Sequence, residues 1–559
     1  MHIDINQTLY SMLLKTNHLL HIYKQDSIRY MLVHDNFHTR YPTNHSSSHR
    51  HHRSICLQTH ASINRSILTT TMATEDSTAP AVFDTDAANC LTKELRSTFL
   101  AGKTKSYEWR SSQLKSLLKM LDDSEKQICD ALFSDLAKPE MEAYIHEIAM
   151  IKSSCKVALK KLKDWMKPEK AKTNLGTFPS SAEIVPEPLG VVLVISAWNY
   201  PLLLSVDPVI GAIAAGNAVV LKPSELAPAM SSLLAKLLGK YLDNSAIKVV
   251  EGAVNETSAL LEQKWDKIFY TGNGRVARIV MAAAAKNLTP VVLELGGKSP
   301  VLVDSNIDLA VTSRRIVGGK WGTNNGQACV GPDYIITTKQ YAPVLIDSLK
   351  HNLVKFFGED PMNSPDISRI GHDRHFARLK KLLDDDKISG KIIHGGQTDK
   401  SLKIAPTIVL DAPEDSLMMS EEIFGPLLPI VTVEKIEDGI EFINSRPKPL
   451  AAYLFTNNKQ LKEAFVSNVS AGGVVINDVT LHLMVDTLPF GGVGESGMGA
   501  YHGKFSFDAF SHKKAVLYRS FYGDAPARYP PYTPGKLRLL KALLDGSLFG
   551  IIRALFGFS

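Results

Sequence analysis

The chain of 559 residues is 44% hydrophobic and 21% charged, an ordinary soluble composition that is long enough for two or three packed domains. Its formal net charge is +6 at pH 7; residues 1–71 contribute +4 of this, from seven Lys or Arg and three Asp, and the rest of the chain only +2. A nearly neutral body argues against a broad nucleic-acid-binding surface, so we expect no nucleic-acid partner.

Cysteine usage gives no sign of a disulfide framework or of a zinc site, because the five cysteines are widely spaced and form no CxxC pair. We therefore expect no metal. Four of them, Cys56, Cys90, Cys129 and Cys155, are interpreted as small buried apolar residues. Cys329 stands in a different sequence context and is treated below.

The first 71 residues differ from the body, since they are rich in His, Ser and Arg and no acidic residue occurs between Asp35 and Glu75. The run SSSHRHHR at 46–53 has no apolar periodicity, which predicts disorder. Residues 1–71 have the composition of an organelle transit peptide. Alternatively they precede a working start at Met72, where MATEDSTAP is typical of a cytosolic amino terminus.

Long amphipathic helices rich in Lys, Glu and Leu are predicted across 85–170. The Pro-, Ser- and Thr-rich segment 171–188 predicts an excursion from the body, in the form of a hairpin. Beyond it, apolar runs alternate with helical patterns. The predicted strands are 190–198, 218–225, 247–253, 267–272 and 290–297, and the predicted helices between them include 205–215, 229–242 and 275–288. This alternation predicts an α/β class with a parallel, Rossmann-like sheet that binds a dinucleotide.

A second alternating block extends over about 296–480 and predicts a separate α/β domain. A helix is predicted at 307–321. Its predicted strands are 299–304, 333–338, 405–410, 427–433, 450–456 and 472–478.

The carboxyl end, 536–559, is basic and apolar but falls short of the roughly 20 apolar residues that span a bilayer. Its leucines repeat at helical spacing behind Lys536, Arg538 and Lys541. This pattern is typical of a helix that lies in a membrane interface. A helix packed on the body or on a partner subunit fits the pattern equally well. No other segment is a candidate for crossing a membrane.

Small residues between a strand and a helix mark a candidate phosphate site at Gly272-x-Gly274-x-x-Ala277. They let the backbone approach an anion, and the helix amino terminus offers N–H groups. A plain tight turn remains the alternative. In LKPSE, Lys222 and Glu225 follow another strand, where they could hold ribose hydroxyls or simply lie at the surface.

The strongest chemical signals are a carboxylate and a thiol. Glu294, in LELGGKSP, ends an apolar strand beside two glycines, and partial desolvation there would raise its pKa towards that of a useful base. Cys329, in NNGQACVGP, lies in a loop of small polar residues, where a thiol is accessible to act as a nucleophile.

These motifs occur in the order of a known family. They are Asn199 in SAWNYP, Glu294 in LELGGKSP, Cys329 in GQACV, Glu422 and Phe424 in EEIFGP, and the segment LPFGGVGESGMGAYHGKFSFDAFSHKK at 488–514. Together they resemble the aldehyde dehydrogenase superfamily, from about residue 88 to the end. GQACVGPDY and the apolar tail are most similar to family 3, in particular its plant members.

The resemblance implies a role for each matching residue. Cys329 would attack an aldehyde, and the oxyanion would be held by the Asn199 amide and the Cys329 backbone N–H, without a metal. Glu294 would activate the water that hydrolyses the thioester. The cofactor, NAD with NADP as an alternative, would meet a larger set, namely Lys222 and Glu225 at the adenosine ribose, Gly272, Gly274 and Ala277 at the pyrophosphate, and Leu295, Glu422 and Phe424 at the nicotinamide half.

The resemblance also implies an aldehyde dehydrogenase fold with these parts: an extension at 1–71, a cofactor-binding domain at 72–295 with an oligomerisation hairpin at 171–188, a catalytic domain at 296–485, a return segment at 486–535 and a tail at 536–559. It implies a homodimer. The apolar tail suggests membrane contact and medium- or long-chain, lipid-derived aldehydes, and hence a role in stress detoxification. We expect the cytoplasm or the endoplasmic reticulum membrane, or a plastid or mitochondrion if 1–71 is a transit peptide.

Two other functions are weighed against this one. A reductase of activated acyl groups would use the same thioester but needs no hydrolytic base, so Glu294 in its ELGGK context speaks against it. A structural protein recruited from the superfamily needs no site at all, whereas the site in this sequence is complete.

Overall fold

A computed structural model describes residues 83–174, 177, 179–522, 524 and 526–556. The hypotheses about residues 1–71, a start at Met72 and a buried Cys56 lie outside these residues. Cys129 and Cys155 are buried as expected, whereas Cys90 is exposed. The expectation for Cys90 was wrong because its helix turns that position towards solvent.

The amino-terminal part of the described chain is helical, as predicted for 85–170. Its helices are Thr85–Leu100 (α1), Tyr107–Asp123 (α2), Glu125–Leu136 (α3), Glu140–Ala143 (α4) and Ala149–Trp165 (α5). Asp84 and Ser106 start α1 and α2 by accepting hydrogen bonds from backbone N–H groups of the first turn. A π-helical turn, Tyr144–Ile148, joins α4 to α5.

A three-stranded antiparallel sheet follows, and it contains the predicted hairpin. Its strands are Glu169–Ala171 (β1), Ser180–Pro188 (β2) and Ser511–Arg519 (β16), in the order β1-β2-β16. Strand β2 pairs with β1 on one side and with β16, from the far end of the chain, on the other. The hairpin is therefore tied to the carboxyl-terminal part of the protein.

The first large sheet confirms the five strands predicted between 190 and 297, each shorter than its apolar run. They are Val191–Ile195 (β3), Ala218–Lys222 (β4), Ile247–Val249 (β5), Lys267–Thr271 (β6) and Val291–Glu294 (β7). The sheet order is β15-β7-β6-β3-β4-β5, and β3 to β7 are parallel. Strand β15, Gly497–Met498, was not predicted; it adds antiparallel beside Glu294.

Helices cover this sheet on both faces, which is why β3, β4 and β6 are buried along their whole length. The helices that connect the strands are Leu203–Ala215 (α6), Pro228–Tyr241 (α7), Val254–Leu261 (α8) and Gly274–Ala285 (α9). Predicted helices 205–215, 229–242 and 275–288 correspond to α6, α7 and α9.

The second large sheet contains the six strands predicted between 296 and 480. They are Pro300–Val303 (β8), Tyr334–Thr338 (β9), Thr407–Leu410 (β11), Leu427–Val433 (β12), Ala451–Phe455 (β13) and Gly473–Ile476 (β14). The order is β10-β11-β12-β9-β8-β13-β14. Edge strand β10, Ile392–His394, was missed, since three residues give no readable pattern.

Helices again connect these strands. They are Leu309–Lys320 (α10), Ala342–Phe357 (α11), Asp373–Leu383 (α12), Leu417–Ser420 (α13), Asp438–Asn444 (α14) and Lys459–Asn468 (α15). Helix α10 confirms the helix predicted at 307–321. Gly503–Ala509 (α16) then leads into β16.

The carboxyl-terminal tail forms two short helices, Pro534–Leu544 (α17) and Leu548–Leu555 (α18). Their apolar side chains are largely open to solvent; more than half of each of Leu537, Leu544, Leu548, Phe549, Ile552, Leu555 and Phe556 is exposed. Across the part of the chain that is described, no helix has the length and apolar character needed to cross a bilayer.

Candidate active site

A cavity of about 970 Å³ opens where strands β3, β4, β6 and β7 end. In a parallel sheet the carboxyl ends of the strands meet at one edge, and ligands bind there. The predicted site residues that line this cavity are Asn199, Lys222, Glu225, Gly272, Glu294, Leu295, Cys329, Glu422 and Phe424. The fold thus brings together residues from both large sheets.

Gly274 and Ala277 do not line the cavity. Gly274 is the first residue of α9, and Ala277 is buried in the hydrophobic core behind that helix. The small side chain of Ala277 therefore serves the packing of the helix on the sheet. Gly272 lines the cavity, but a Cβ there would come within 2.2 Å of the Tyr270 hydroxyl, so packing within the protein already requires glycine.

Lys222 and Glu225, both in the cavity wall, form an ion pair with 2.8 Å between Nζ and the carboxylate. The Lys222 side chain is buried, whereas Glu225 is 40% exposed. A partly solvated carboxylate at a strand end is available to a ligand's hydroxyl groups.

Cys329 also lines the cavity, and it follows a loop with an unusual backbone. Asn324 and Asn325 both have φ of +49° and Gly326 has φ of +80°. Asparagine and glycine are the residues that tolerate this left-handed conformation, which explains the NNG of the sequence. Amide N–H groups of Asn325 donate to the carbonyls of Ser368 and Ile404 and fix the loop.

The surroundings of the Cys329 thiol disfavour the thiolate. Burial raises the pKa of the thiol to about 12, and the carboxyl groups of Glu422 and Glu294 act in the same direction. Backbone N–H groups of Cys329 and Val330 donate to the sulfur and oppose this shift. The same N–H groups show that this turn presents donors where the sulfur lies.

Glu294 ends β7 and is 2% exposed, and neither of its carboxylate oxygens has a hydrogen-bond partner in the described structure. Burial alone raises the pKa of Glu294 well above its usual range. A buried carboxyl group without partners is costly, and few such groups occur in native proteins. Its position in the cavity wall indicates a chemical role.

Glu422 lies against the backbone that follows Glu294. A Cβ at Gly296 would come within 2.3 Å of the Glu422 carboxylate, so this glycine makes room for the acid. Burial, and then the nearby Asp333 carboxylate, raise the pKa of Glu422 to about 8. The Gly297 N–H donates to the Glu422 carboxylate and acts in the opposite direction. Glu422 is therefore poised close to neutral pH.

The turn that carries Glu422 and Phe424 is clamped by helix α12. The Arg378 guanidinium donates to the carbonyls of Glu422 and Ile423, and His375 Nε2 lies 2.7 Å from the Phe424 carbonyl. Phe424 has φ of +53°, a costly conformation for a bulky residue, which persists only because the surroundings hold it. The clamp aims the Phe424 ring into the cavity.

Asn199 follows β3 and is 3% exposed. One N–H of its side chain donates to the Gln327 carbonyl at 3.0 Å, which connects it to the Cys329 loop. Its backbone carbonyl accepts hydrogen bonds from Lys138 Nζ and from the Asn324 amide. The Asn199 amide and the nucleophile loop are thereby tied together.

Sequence reasoning missed His375, Arg378 and Lys138. In the sequence they look like ordinary charged or polar surface residues, and their partners are 49, 44 and 61 residues away. The single usable signal was the dense HDRHFARL pattern, whose meaning depends on the tertiary fold. Among the described residues, no group of three or more His, Cys, Asp and Glu side chains could hold a metal ion.

The raised thiol pKa predicts how Cys329 reacts with iodoacetamide in the nucleotide-free protein. Only the thiolate reacts, so a pKa of about 12 should make the rate rise about tenfold per pH unit from 7 to 10, without a plateau. Incorporation is followed at the Cys329 peptide by mass spectrometry, because Cys90 is also exposed. A rate that levels off by about pH 10, as it would for a free thiol of pKa about 8.5, would contradict this environment.

Comparison with known proteins identifies the family. The Aldehyde dehydrogenase family model matches residues 72–516. Aldehyde dehydrogenase family 3 member H1 of Arabidopsis thaliana is 66% identical over 480 residues, covering 86% of this chain and 99% of the relative. The dimeric NADP-preferring aldehyde dehydrogenase of Rattus norvegicus is 48% identical over 448 residues, covering 80% and 98%.

A solved structure agrees with these relatives. The substrate-bound state of AldH from Staphylococcus aureus has a TM-score of 0.79 and 42% sequence identity, covering 82% of this chain and 99% of that one. This confirms the α/β fold expected from the sequence. A chain with this site, this fold and these relatives belongs to the aldehyde dehydrogenase family.

Proposed function

We propose that this enzyme oxidises aldehydes to carboxylic acids through a thiohemiacetal and a thioester on Cys329, with Glu294 as general base. One observation carries the proposal: Cys329, Glu294 and Asn199, from distant parts of the chain, line the same cavity. A nucleophile, a base and an amide donor are the groups that acyl chemistry of this type requires.

The residues of the cavity fit a nicotinamide dinucleotide. The cavity extends from Lys222 and Glu225, past the amino terminus of α9, to Glu422 and Phe424 beside Cys329. Helix amino termini attract phosphates through free N–H groups, and a carboxylate at each end can bind a ribose. When bound, the oxidised dinucleotide supplies the hydride acceptor.

The chain's own residues perform the first half of the reaction. The Cys329 thiol gives its proton to water in the open cavity, and its sulfur bonds to the aldehyde carbon while the C=O π bond breaks, so that the carbonyl oxygen becomes an oxyanion. The free N–H of the Asn199 side chain and the Cys329 backbone N–H hold this oxyanion. Such donors typically contribute about 3–4 kcal/mol each to transition-state stabilisation. The tetrahedral carbon can then release hydride, which a planar aldehyde does not.

Glu294 performs the second half. Once ionised, its carboxylate takes a proton from a water molecule, whose oxygen attacks the thioester carbon and expels the Cys329 sulfur. The product is a free acid. Because burial holds the Glu294 pKa well above its usual range, its carboxylate is a stronger base than an exposed one and ionises at higher pH. Activity should therefore rise with pH.

Cofactor choice follows from Glu225. Its carboxylate would repel a 2′-phosphate on the adenosine ribose, which favours NAD over NADP. The 40% exposure of Glu225 lets the carboxylate swing into water, so NADP is tolerated as well. Use of NADP in this family is supported by the rat relative, which is named as NADP-preferring.

Substrate class and cofactor are tested together by measuring kcat/KM for aldehydes of increasing chain length with NAD and with NADP. We expect free acid as product and the highest values for medium- and long-chain aldehydes, in keeping with delivery from lipid and with a role in stress detoxification. Activity confined to short hydrophilic aldehydes would contradict the lipid-derived substrate. Reduction of acyl thioesters or acyl phosphates without acid formation would contradict the reaction itself.

The proposed assembly is a homodimer in which the 171–188 hairpin and β16 form the oligomerisation element. The remaining proposed parts of the chain are a cofactor-binding domain at 72–295, a catalytic domain at 296–485 and a return segment at 486–535. The support is that β1 and β16 leave both edges of a small sheet without a partner strand among the described residues. Unpaired edges readily accept another chain. Sedimentation showing a monomer of 61.4 kDa would contradict the dimer.

The tail is proposed to contact membranes through its exposed apolar side chains, flanked by Lys536, Arg538 and Lys541. The full chain should co-sediment with anionic lipid vesicles, and a chain truncated after Thr533 should not. Added salt should weaken the binding of the full chain. Equal binding of both would contradict the proposal.

We propose that the enzyme lies in the cytoplasm or at the endoplasmic reticulum, or in an organelle if 1–71 directs it there. Fluorescent fusions with and without 1–71 would test this location.

A further inference from the structure

The segment 138–148, which precedes helix α5, buries three charged side chains that do not line the cavity. Lys138 and Glu147 form an ion pair of 2.5 Å in which neither side chain is exposed, and Glu142 is 9% exposed. Replacing such a buried pair by apolar residues is often neutral or stabilising, so stability is a weak reason for its presence. The contacts of these three side chains connect them to the two loops that carry Asn199 and Cys329.

The first set of contacts reaches the turn that carries Asn199. Lys138 Nζ donates to the Asn199 carbonyl at 3.0 Å and lies 3.9 Å from the centre of the Tyr200 ring. The second oxygen of Glu147 accepts from the backbone N–H groups of Leu202 and Leu203, at 2.9 and 3.1 Å. The turn between β3 and α6 is therefore held from both sides.

The second set of contacts reaches the loop that carries Cys329. One oxygen of Glu142 accepts from the Asn324 backbone N–H at 2.7 Å, and the other accepts from the Ser368 hydroxyl at 3.1 Å. The Asn324 side chain in turn donates to the Asn199 carbonyl at 2.8 Å. One carbonyl oxygen thus receives donors from both Lys138 and the nucleophile loop.

The π-helical turn explains how one short segment serves both loops. Five residues apart in an α-helix, Glu142 and Glu147 would point about 140° away from each other. The i→i+5 hydrogen bond from the Ala149 N–H to the Tyr144 carbonyl inserts one extra residue into the helix. Both carboxylates then face the interior, where their partners lie.

We propose that Lys138, Glu142 and Glu147 are positioning residues that fix the distance between the Asn199 amide and Cys329. The proposal rests on the function proposed above. Hydrogen bonds to ionised groups are roughly twice as strong as neutral ones, so a buried carboxylate holds a backbone N–H more firmly than a neutral acceptor. Two oxyanion donors on separate loops are useful only if their separation does not fluctuate.

Glu142 offers the sharpest test, because it contacts the nucleophile loop directly. We expect Glu142→Leu to lower kcat about 100-fold, the effect of displacing a reacting group by about 1 Å. Glu142→Gln, which keeps an acceptor oxygen of the same size, should lose about three- to tenfold. Rates are expressed per NAD-binding site, counted from the stoichiometry of NAD binding, so that only folded molecules contribute. Glu140→Leu, which removes an exposed acid from the same segment, is the matched control.

Binding of NAD separates positioning from general damage, since the 138–148 segment does not line the cavity. The dissociation constant for NAD should stay within about twofold of wild type in both Glu142 variants. Wild-type kcat per site in both, whatever their melting temperatures, would overturn the proposal, and so would a parallel loss of NAD binding. If Glu142→Leu does not fold, Glu142→Gln decides alone, and an unchanged kcat there overturns it.

Failure of the underlying function has a different signature. It would leave the wild-type protein without aldehyde oxidation, or leave Cys329→Ser active. If the wild-type protein oxidises aldehydes, Cys329→Ser is inactive and the Glu142 variants have wild-type activity, then the positioning proposal fails and the proposed function stands.

Discussion

Cys329→Ser is expected to lower kcat for aldehyde oxidation by at least about 10⁴-fold, the usual scale for loss of a nucleophile. A serine hydroxyl is far less acidic than a thiol, so far less of it ionises to a nucleophile. The burial that raises the thiol pKa to about 12 would oppose an alkoxide still more strongly. The measurement is NADH formation at saturating aldehyde and NAD.

NAD binding should be unchanged in this variant, because most of the cavity wall is formed by other residues. Cys90→Ser is the matched control, since Cys90 is an exposed thiol that does not line the cavity. Activity in Cys329→Ser above 1% of wild type would remove the covalent mechanism. Loss of NAD binding together with turnover would show a folding defect instead.

Much of the site could be predicted from the sequence because its residues follow strands. Apolar runs such as VVLVI and AVVLK identify β3 and β4, and the residues after them, including Asn199 and Glu225, must reach the same sheet edge. Glu294 was found for a similar reason, as an acid that ends an apolar strand. The local pattern fixes both the element and the place of the side chain.

Other features depend on contacts between distant segments, and no local pattern shows them. Glu142 and Asn324 are 182 residues apart, and in the sequence Glu142 looks like any acid on an amphipathic helix. The two-residue strand β15, which covers Glu294, lies in a glycine-rich stretch without alternation. Ala277 shows the opposite error, since a matching motif suggested ligand contact at a position that is buried for packing.

The raised pKa values of the Cys329 thiol and the Glu294 carboxyl group have a common physical cause. Both groups lie in the same buried wall, and burial is the largest cause of the raised pKa of each. The Glu294 carboxylate also raises the pKa of the Cys329 thiol, because two negative charges in one cavity repel. The reaction needs Cys329 and Glu294 to be ionised at different stages of the cycle, so the two negative charges never have to coexist. Acylation consumes the thiolate charge before Glu294 is required as a base.

Glu294→Gln tests this separation of stages. The amide has the shape of the protonated carboxyl group, so attack by Cys329 and hydride transfer should proceed. Hydrolysis should not, because an amide cannot accept the proton of water. We expect one equivalent of NADH per site in a rapid burst, followed by a steady rate lowered about 10²- to 10⁴-fold, the range for loss of a general base.

Rapid-mixing absorbance of NADH, with the acyl group detected on the Cys329 peptide by mass spectrometry, measures both phases. The residual steady rate should also lose the rise with pH that the ionisation of Glu294 gives the wild-type enzyme. Glu495→Gln, an exposed acid paired with Arg278 outside the cavity, is the matched control. A variant with neither burst nor turnover would assign Glu294 to acylation, and one with wild-type turnover would remove it from the mechanism. Only a burst without hydrolysis fits a base that acts on the thioester.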